Sequence, residues 1–265
     1  MNNNIFIFLI LIFSLNTFAQ NLVPNPSFED ALNYPVFNSV VNYSNGWDTY
    51  SNTPDYFHVC STNTPWQIPN NDWGNQYPPT GNAYCGFWSY FYLSPNGHEY
   101  IGRQLSDSLL IGQKYYISFS VSLAEEVSNC AINNMGILFS TDPFFNNNPS
   151  PIFNYAHLYS PTIIDDSINW ITISGSFIAD SAYRYIIIGN FFDDANTDTT
   201  VFDISFFGDS TCYAYYFVDD ICVSTDSNTC NQVKYEVINF YASDTVINEG
   251  GCINFTAQSI TNYIN

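Results

Sequence analysis

The chain has 265 residues, of which 24 are Asp or Glu and only 4 are Lys or Arg, giving a formal net charge of -20. This charge argues against nucleic acid as a partner, because binding to a phosphate backbone depends on clustered basic side chains. The hydrophobic share of 46% is enough to form a core that offsets the entropy of ordering. Most carboxylates have no available salt-bridge partner, so calcium bound through oxygen is the cation expected to relieve their repulsion.

Residues 1–19 predict a secretory signal peptide. An apolar run from Ile5 to Phe13 is followed by small and polar residues up to Ala19, after which we expect cleavage. A transmembrane anchor is the weaker alternative, because the run is shorter than the ~20 residues that span a bilayer. No later segment is apolar enough to span a membrane, so we expect a protein that is secreted or displayed on the outer cell surface.

Residues 20–224 show a period-two alternation of apolar and polar side chains, which is typical of half-buried strands. The alternating segments are separated by stretches rich in Asn, Pro, Ser and Gly, and none has a sustained helical period. This pattern predicts an all-β chain that folds as an antiparallel jelly-roll β-sandwich. The expected strands lie around Phe28 and at 56–59, 84–90, 100–105, 114–123, 135–140, 170–178, 183–190 and 213–223.

Long loops interrupt the predicted strands, and loops on a rigid scaffold often carry binding residues. The loop 61–82 combines Trp66, Trp73 and Tyr77 with several Asn and Gln side chains. Exposed rings stack on the apolar faces of sugars, and amides hydrogen-bond to sugar hydroxyls, so we expect these three side chains to bind carbohydrate. The alternative for each ring is to fill the core, as Trp and Tyr also do.

Sequence motifs of common enzyme classes are missing. The chain has no Gly-x-Ser-x-Gly, no His-Glu-x-x-His and no glycine-rich phosphate loop. A glycoside hydrolase needs two carboxylates across a cleft, and the clustered pairs are Glu125-Glu126 and Asp193-Asp194. Neither pair has a spacing that identifies an active site, so we expect no catalytic residues and no enzyme activity.

Seven cysteines in an exported chain indicate an oxidising compartment and disulfide bonds. The odd number leaves one thiol without a partner in the chain. No Cys-x-x-Cys spacing occurs, and His58 with Cys60 supplies too few ligands for a zinc site. The sequence does not fix the connectivity, and our first choice pairs Cys60 with Cys85 and Cys222 with Cys230.

Two short segments bracket the predicted sandwich, Asn-Pro-Ser-Phe-Glu at 25–29 and Phe-Val-Asp-Asp-Ile at 217–221. They resemble the N-terminal signature and the closing strand of galactose-binding-like carbohydrate-binding modules that contain calcium. The wider pattern, including 53–58, 81–86 and 188–194, is similar to surface proteins of gliding, type IX-secreting bacteria. The resemblance covers residues 21–224 and implies a galactose-binding-like sandwich.

In the modules that the chain resembles, a structural calcium is held by the Glu of the first segment and an Asp of the closing strand. The resemblance therefore implies Glu29 and Asp219 as ligands, with Ser27 and Asp48 as the nearest further candidates. Calcium takes about six to eight oxygens, so backbone carbonyls would complete the site. Asp220 would point to the opposite face of a regular strand.

The chain continues beyond the sandwich through a predicted linker at 225–234. Residues 235–265 contain two more strand patterns joined by a glycine-rich turn. They resemble the first strands of a PKD-type, immunoglobulin-like domain without its later strands, and so few residues cannot readily form a separate sandwich. Residues 235–265 are therefore expected to be an incomplete second β domain.

The first functional hypothesis is a non-catalytic carbohydrate-binding module at the cell surface, stabilised by calcium. The resemblance adds Asp193 and Asp194 as contacts to the ligand or to a second cation. The alternative is a structural or adhesive protein of the cell envelope, which has envelope proteins as partners and no sugar ligand. A glycoside hydrolase is the third hypothesis.

Overall fold

The computed structural model describes residues 20–143, 150–202, 211–230, 238–242 and 255–259, and the predicted signal peptide lies outside them. The described residues are almost entirely strand and loop, and all strand pairs are antiparallel, which confirms the all-β class. The strands are β1 (Trp47–Ser51), β2 (Asp55–His58), β3 (Asn70–Asn71), β4 (Gly74–Asn75), β5 (Ala83–Phe91), β6 (Tyr100–Gln104), β7 (Lys114–Leu123), β8 (Cys130–Ile132), β9 (Met135–Ser140), β10 (Leu158–Tyr159), β11 (Ile171–Ile178), β12 (Tyr185–Asn190), β13 (Thr199–Val201), β14 (Tyr213–Ser224), β15 (Ile238–Ala242) and β16 (Phe255–Ser259). The helical elements are the short α1 (Ser227–Cys230) and three 3-10 turns, Val41–Tyr43, Thr64–Trp66 and Asp194–Asn196.

Two five-stranded sheets form the sandwich, and the order of their strands does not follow the chain. The first sheet has the order β1-β6-β12-β9-β10, and the second has the order β11-β7-β14-β5-β2. Apolar side chains from both sheets meet in one core. The alternation in β7 predicts this core correctly, because its apolar side chains are all buried there: Tyr115, Ile117, Phe119, Val121 and Leu123.

The second sheet is also buried on its outer face. Alternate residues of its strands form an aromatic cluster there, which contains Phe57, Tyr84, Tyr215 and Phe217. The loop 59–82 folds over these rings, and β14 is buried along almost its whole length. A sheet that is covered on both faces needs apolar side chains at successive positions, which explains the weak alternation of β14.

The expected strand around Phe28 is absent, and a strand was missed at β1. Phe28 has a φ of 61° and Asn25 a φ of 44°, so the segment turns instead of extending. The side chain of Asn25 holds the turn by accepting a hydrogen bond from the backbone N–H of Asp30 at 2.9 Å. The missed strand β1 pairs with β6, inside a segment expected to be loop.

Two disulfides join described cysteines, Cys130–Cys212 and Cys222–Cys230. The second is one of the predicted pairs, whereas the pairing of Cys60 with Cys85 is wrong. Cys60 is disulfide-bonded, but Cys85 is a free thiol. The reason is the position of Cys85 on β5, where it points into the core between the sheets.

The C-terminal strands β15 and β16 pair with each other, as the strand patterns predict. That they begin an immunoglobulin-like domain stays a prediction. Part of the expected linker is tied to the sandwich, since Cys230 in α1 is bonded to Cys222 and its carbonyl accepts a hydrogen bond from Ser118 Oγ at 2.9 Å. Within the described residues, no helix has the length and apolar character needed to cross a membrane.

Candidate functional site

The two segments that bracket the sandwich meet in the structure. The backbone N–H of Ile221 donates to the carbonyl of Pro26 at 3.0 Å, and Leu22 N–H donates to the carbonyl of Val223 at 2.7 Å. Asn21 reinforces the contact by donating from its amide to the carbonyl of Ile221 at 2.9 Å. The start of the described chain is therefore joined to the last strand of the sandwich. We call this contact the strand junction, formed by residues 21–29, 80–83 and 220–223.

Asp220, and not Asp219, faces the N-terminal segment at the strand junction. A bulge interrupts the pairing of β14 with β7 after Asp219, and Asp220 has a φ of 52°. Its Oδ1 accepts hydrogen bonds from Ser27 Oγ at 2.7 Å and from Thr80 Oγ1 at 2.6 Å. Alternation places the buried Asp219 on the outer face with Phe217. Because the strand is not regular here, Asp220 is the aspartate that accepts a hydrogen bond from Ser27, and Asp219 as a calcium ligand stays a prediction.

Glu29 lies at the same junction, where its carboxylate presses against the chain at Gly81. It accepts hydrogen bonds from the backbone N–H groups of Asn82 at 2.8 Å and Ala83 at 3.0 Å. Gly81 has a φ of 69°, which favours glycine, and a Cβ there would collide with the carboxyl group of Glu29. Glu29 as a whole residue is exposed, but protein atoms surround its carboxyl group. This burial of the carboxyl group, together with the charge of Asp220, raises the pKa of Glu29 to about 7.

The three predicted carboxylate ligands of calcium, Glu29, Asp48 and Asp219, do not form one cluster in the described residues. Asp48 is exposed on β1 and accepts a hydrogen bond from the N–H of its neighbour Thr49, and Asp219 is buried on the outer face. Only Ser27 and Glu29 of the four predicted ligands are at the strand junction. No cluster of three or more His, Cys, Asp or Glu side chains suited to a metal ion occurs in the described part of the chain.

Two of the three predicted sugar-binding rings are packed against the protein. Trp66 and Trp73 are half-buried, with their ring centroids 5.9 Å apart. Trp73 also lies 5.3 Å from Phe57 and 5.9 Å from Tyr215. Their expected exposure is therefore wrong, because the loop folds back over the aromatic cluster. Tyr77 is 69% exposed and is the ring of the three that is open to solvent.

An open depression of about 500 Å³ lies at the hairpin of β3 and β4, in the same loop. Its walls carry amide and carboxylate groups. The residues that line it are Asn70, Asn71, Asp72, Gly74, Asn75 and Glu126. The aromatic residues of the sequence predicted a binding site in this loop. The sequence did not predict that Glu126 would line it.

Hydrogen bonds fix the shape of this depression. The side-chain Oδ1 of Asn71 accepts from the N–H groups of Trp73 at 2.9 Å and Gly74 at 3.0 Å, which closes the hairpin turn. Glu125 Oε1 accepts from Asn75 N–H at 2.7 Å. A Cβ at Gly74 would collide with the carboxyl group of Glu125, so a larger residue there would require the Glu125 side chain to move. The hairpin is thus held in place before any ligand arrives.

Two buried carboxylates, Asp55 and Glu99, lie beneath the aromatic cluster, and the sequence assigned a function to neither. Asp55 accepts hydrogen bonds from Tyr215 Oη and Ser39 N–H, both at 2.8 Å. Glu99 accepts from Thr53 Oγ1 at 2.7 Å and from Trp88 N–H at 2.9 Å. Burial raises the pKa of Asp55 to about 6 and that of Glu99 to about 7.

These two carboxylates are fully engaged with the protein itself. Asp55 is 4% exposed and Glu99 is 5% exposed, so a substrate has no access to them. The arrangement holds β2 and the start of β6 against β5 and β14. We therefore assign Asp55 and Glu99 a structural role.

The predicted contacts Asp193 and Asp194 lie together in the loop after β12, away from the hairpin of β3 and β4. Asp193 accepts hydrogen bonds from Asn154 Nδ2 and Asn196 N–H, both at 2.9 Å, and the side-chain hydrogen bond from Asn154 is the first cause of its lowered pKa. Asp194 Oδ2 accepts from the N–H of Asn96 at 3.0 Å. Asp193 mainly caps the Asp194–Asn196 turn, whereas Asp194 keeps one oxygen directed at His98.

No protein-family model matches the chain, and no curated protein matches it either. Among solved structures, it is similar to a cyclase from Fischerella sp. TAU in complex with 4-(1H-indol-3-yl)butan-2-one, with 13% identity and a TM-score of 0.44. That match covers 76% of this chain and 94% of the cyclase.

The CBM22-1 xylan-binding domain of Xyn10C from Paenibacillus barcinonensis is another similar structure, with 11% identity, a TM-score of 0.41 and coverage of 78% of this chain and 94% of that one. The K1 cleaved adhesin domain of Lys-gingipain from Porphyromonas gingivalis W83 has 13% identity and a TM-score of 0.37, over 74% of this chain and 94% of that one. These weak likenesses identify no family for the chain.

Proposed function

We propose that this chain is a non-catalytic carbohydrate-binding module, and that the glycan lies in the depression at the hairpin of β3 and β4. The observation that carries the proposal is the depression itself, with amides and carboxylates on its walls and the exposed ring of Tyr77 in the same loop. Asn70, Asp72 and Asn75 are exposed there and supply hydrogen-bond donors and acceptors for sugar hydroxyls. The half-buried Trp66 and Trp73 support the loop from below.

A binding role fits these groups better than a catalytic one. The carboxylates with raised pKa values, Asp55 and Glu99, are buried and bonded to the protein. Those that reach the depression, Asp72 and Glu126, are exposed to solvent. A general acid needs both a raised pKa and access to the substrate. Asp55 and Glu99 have no access, and Asp72 and Glu126 lack the burial that produces such a shift.

The proposed setting is outside the cell. The disulfides Cys130–Cys212 and Cys222–Cys230 suit an oxidising compartment, and residues 1–19 have the pattern of a signal peptide. Two further proposals rest on sequence resemblance alone. They are a relationship to surface proteins of gliding, type IX-secreting bacteria, and a PKD-type domain that begins at residue 235.

Replacing Tyr77 with alanine is expected to weaken glycan binding roughly fivefold or more, because stacking on an exposed ring is worth about 1 kcal/mol or more. Asn75→Ala should weaken it as well. The measurement is a glycan array with the wild type, followed by calorimetric titration of the best ligand. Tyr155→Ala is the matched control, since Tyr155 is 55% exposed elsewhere on the surface. A wild-type protein that binds no glycan, or a Tyr77→Ala variant that binds as the wild type does, would overturn the proposal.

We also propose a structural calcium at the strand junction, with Glu29 and Asp220 as its carboxylate ligands. The donor set fits, because two carboxylates and the hydroxyls of Ser27 and Thr80 are gathered there, and hard cations prefer oxygen. In the described residues, no Lys or Arg side chain pairs with either carboxylate. Calcium would offset the repulsion between them and fasten the first segment to the last strand of the sandwich.

Calcium addition is expected to raise the melting temperature of the EDTA-treated protein. A ligand that binds only the folded state stabilises it by about 2.7 kcal/mol at a hundredfold excess over its Kd. Glu29→Gln and Asp220→Asn should abolish the calcium-dependent part of this shift. Asp48→Asn is the control, because Asp48 is exposed on β1 and should leave the shift unchanged. Equal melting with calcium and with EDTA in the wild type would rule the site out.

A further inference from the structure

Tyr77 carries its exposed ring on a backbone that the protein holds in place. The residue is 69% exposed, and the proline that follows it, Pro78, restricts the backbone of Tyr77 to extended conformations. The indole Nε1–H of Trp170 donates a hydrogen bond to the carbonyl oxygen of Tyr77 at 2.7 Å. Because the two residues are 93 positions apart in the sequence, this contact joins the loop 59–82 to a second part of the chain.

Trp170 is itself anchored in the aromatic cluster on the outer face of the second sheet. It lies immediately before β11, and its half-buried ring packs against that of Tyr84 at 5.8 Å between centroids. A donor that packing already holds in one position loses little freedom when it makes a hydrogen bond. The carbonyl of Tyr77 is therefore tied to the rigid part of the sandwich.

Gln76 fixes the chain on the other side of Tyr77. The residue is 5% exposed, and its side-chain Nε2 donates to Ser122 Oγ of β7 at 2.6 Å and, more weakly, to the carbonyl of Ile168 at 3.5 Å. The backbone N–H of Gln76 donates to the carbonyl of Pro69 at 2.9 Å. The chain is thus held before and after Tyr77, whereas the ring of Tyr77 projects into solvent.

The short loop before β11 is also ordered by hydrogen bonds. Asp166 Oδ1 accepts from the N–H groups of Ile168 at 2.9 Å and Asn169 at 2.7 Å. The backbone carbonyl of Asp166 accepts from the N–H of Leu123, at the end of β7, at 3.0 Å. This loop therefore presents the indole of Trp170 in a fixed position.

We propose that Trp170 is a positioning residue of the glycan site, which holds the ring of Tyr77 in its binding position, and that the site takes an oligosaccharide instead of a single sugar. This inference rests on the glycan-binding function proposed above. A ring that is already held in place loses less conformational entropy on binding than a mobile one, so Trp170 supports affinity without touching the sugar.

The size of the site carries the second part of the proposal. The depression of about 500 Å³ has the volume of a site for a drug-sized ligand, which is larger than one sugar ring. Tyr77 lies outside the residues that line this depression, although it is only two positions from Asn75, which does line it. One sugar ring cannot fill the depression and also stack on Tyr77, so the ligand is a chain of several sugars.

The first test is calorimetric titration of the full chain with β-1,4-linked glucose, xylose and galactose, each from one to six units. In the series that binds, the hexasaccharide should bind at least roughly tenfold more tightly than the monosaccharide. Trp170→Phe keeps an aromatic ring but removes the indole N–H, and it should weaken binding roughly threefold or more, as expected for one lost hydrogen bond. Ile168→Ala is the matched control, because Ile168 is 82% exposed in the same loop and should bind as the wild type does.

A double-mutant cycle separates positioning from a general structural role. In the Tyr77→Ala background, Trp170→Phe should cause no further loss of binding, because no ring remains to be positioned. Equal losses in both backgrounds, or a Trp170→Phe variant that binds as the wild type does, would overturn the role of Trp170. A monosaccharide that binds as tightly as the hexasaccharide would overturn the proposed ligand class.

A measurement without glycan distinguishes a failure of this inference from a failure of the proposed function. The ¹⁵N order parameter of the Tyr77 N–H should be near the ~0.85 of a rigid backbone in the wild type and fall in Trp170→Phe. If the order parameter falls but the wild type binds no glycan, the proposed function fails while Trp170 still positions Tyr77. An order parameter that Trp170→Phe leaves unchanged contradicts the positioning role, whether or not a glycan binds.

Discussion

The Phe57→Ala variant is expected to lose about 3 to 5 kcal/mol of its free energy of unfolding, the range typical of removing a buried phenyl ring. Phe57 has no exposed surface, and its ring contacts those of Trp73, Tyr84 and Phe217 at 5.2 to 5.5 Å between centroids. The cavity would open between the outer face of the second sheet and the loop 59–82. Chemical denaturation followed by fluorescence and circular dichroism measures the loss.

Phe37→Ala is the matched control, because Phe37 is 48% exposed and removing its ring leaves no buried cavity. Its stability should stay within about 0.5 kcal/mol of the wild type, as for most surface substitutions. A loss below about 1 kcal/mol in Phe57→Ala would contradict the packing of the loop against the sheet. Because the same loop carries the depression, Phe57→Ala should also weaken glycan binding if the proposed site is right.

The Glu99→Gln variant is expected to gain stability relative to the wild type as pH rises from about 4.5 to 7. Burial raises the pKa of Glu99 from 4.5 to about 7, so the folded wild type keeps its proton over this range while the unfolded chain has lost it. Folding then becomes less favourable with rising pH. A tenfold difference in the acid dissociation constant between the folded and unfolded chains corresponds to about 1.4 kcal/mol. The difference in unfolding free energy between variant and wild type should therefore change by more than about 1.4 kcal/mol between pH 4.5 and 7.

Because histidines also change the stability of the protein with pH, the effect of Glu99 must be measured as the difference in unfolding free energy between Glu99→Gln and the wild type. Burial lowers the pKa values of His58 and His157 to about 4, so both proteins lose stability as pH falls below about 6.5. That loss is the same in both proteins, so it cancels when their free energies of unfolding are subtracted. Glutamine also gives up one acceptor for the Trp88 N–H, but this cost does not depend on pH. A difference in unfolding free energy that is flat between pH 4.5 and 8 would show that Glu99 is not a buried acid.

The strand junction offers only oxygen donors and joins the first segment to the last strand of the sandwich, so its occupation by calcium should appear in global melting.

Local sequence patterns determined most of the long strands and much of the core of this protein. Period-two alternation predicts β7 and its five buried apolar residues because each strand side chain points to the face opposite its neighbours. The strand pattern at 213–223 also predicted β14, the last strand of the sandwich. The same alternation, without a helical period, was enough for the all-β class. The cysteine content was enough to expect disulfides but not their connectivity, and of the two first-choice pairs the structure contains Cys222–Cys230.

Tertiary structure alone decided which side chains meet. Whether Asp219 or Asp220 faces the first segment depends on a bulge and a positive φ. A period-two pattern assumes a regular strand and therefore predicts neither feature. The exposure of Trp66 and Trp73 depends on a loop folding over a sheet face that is itself aromatic. The contacts of His98 with Asp194 and of Asp55 with Tyr215 join residues far apart in the chain. Such contacts arise from packing of whole sheets and loops, and local sequence carries no signal of them.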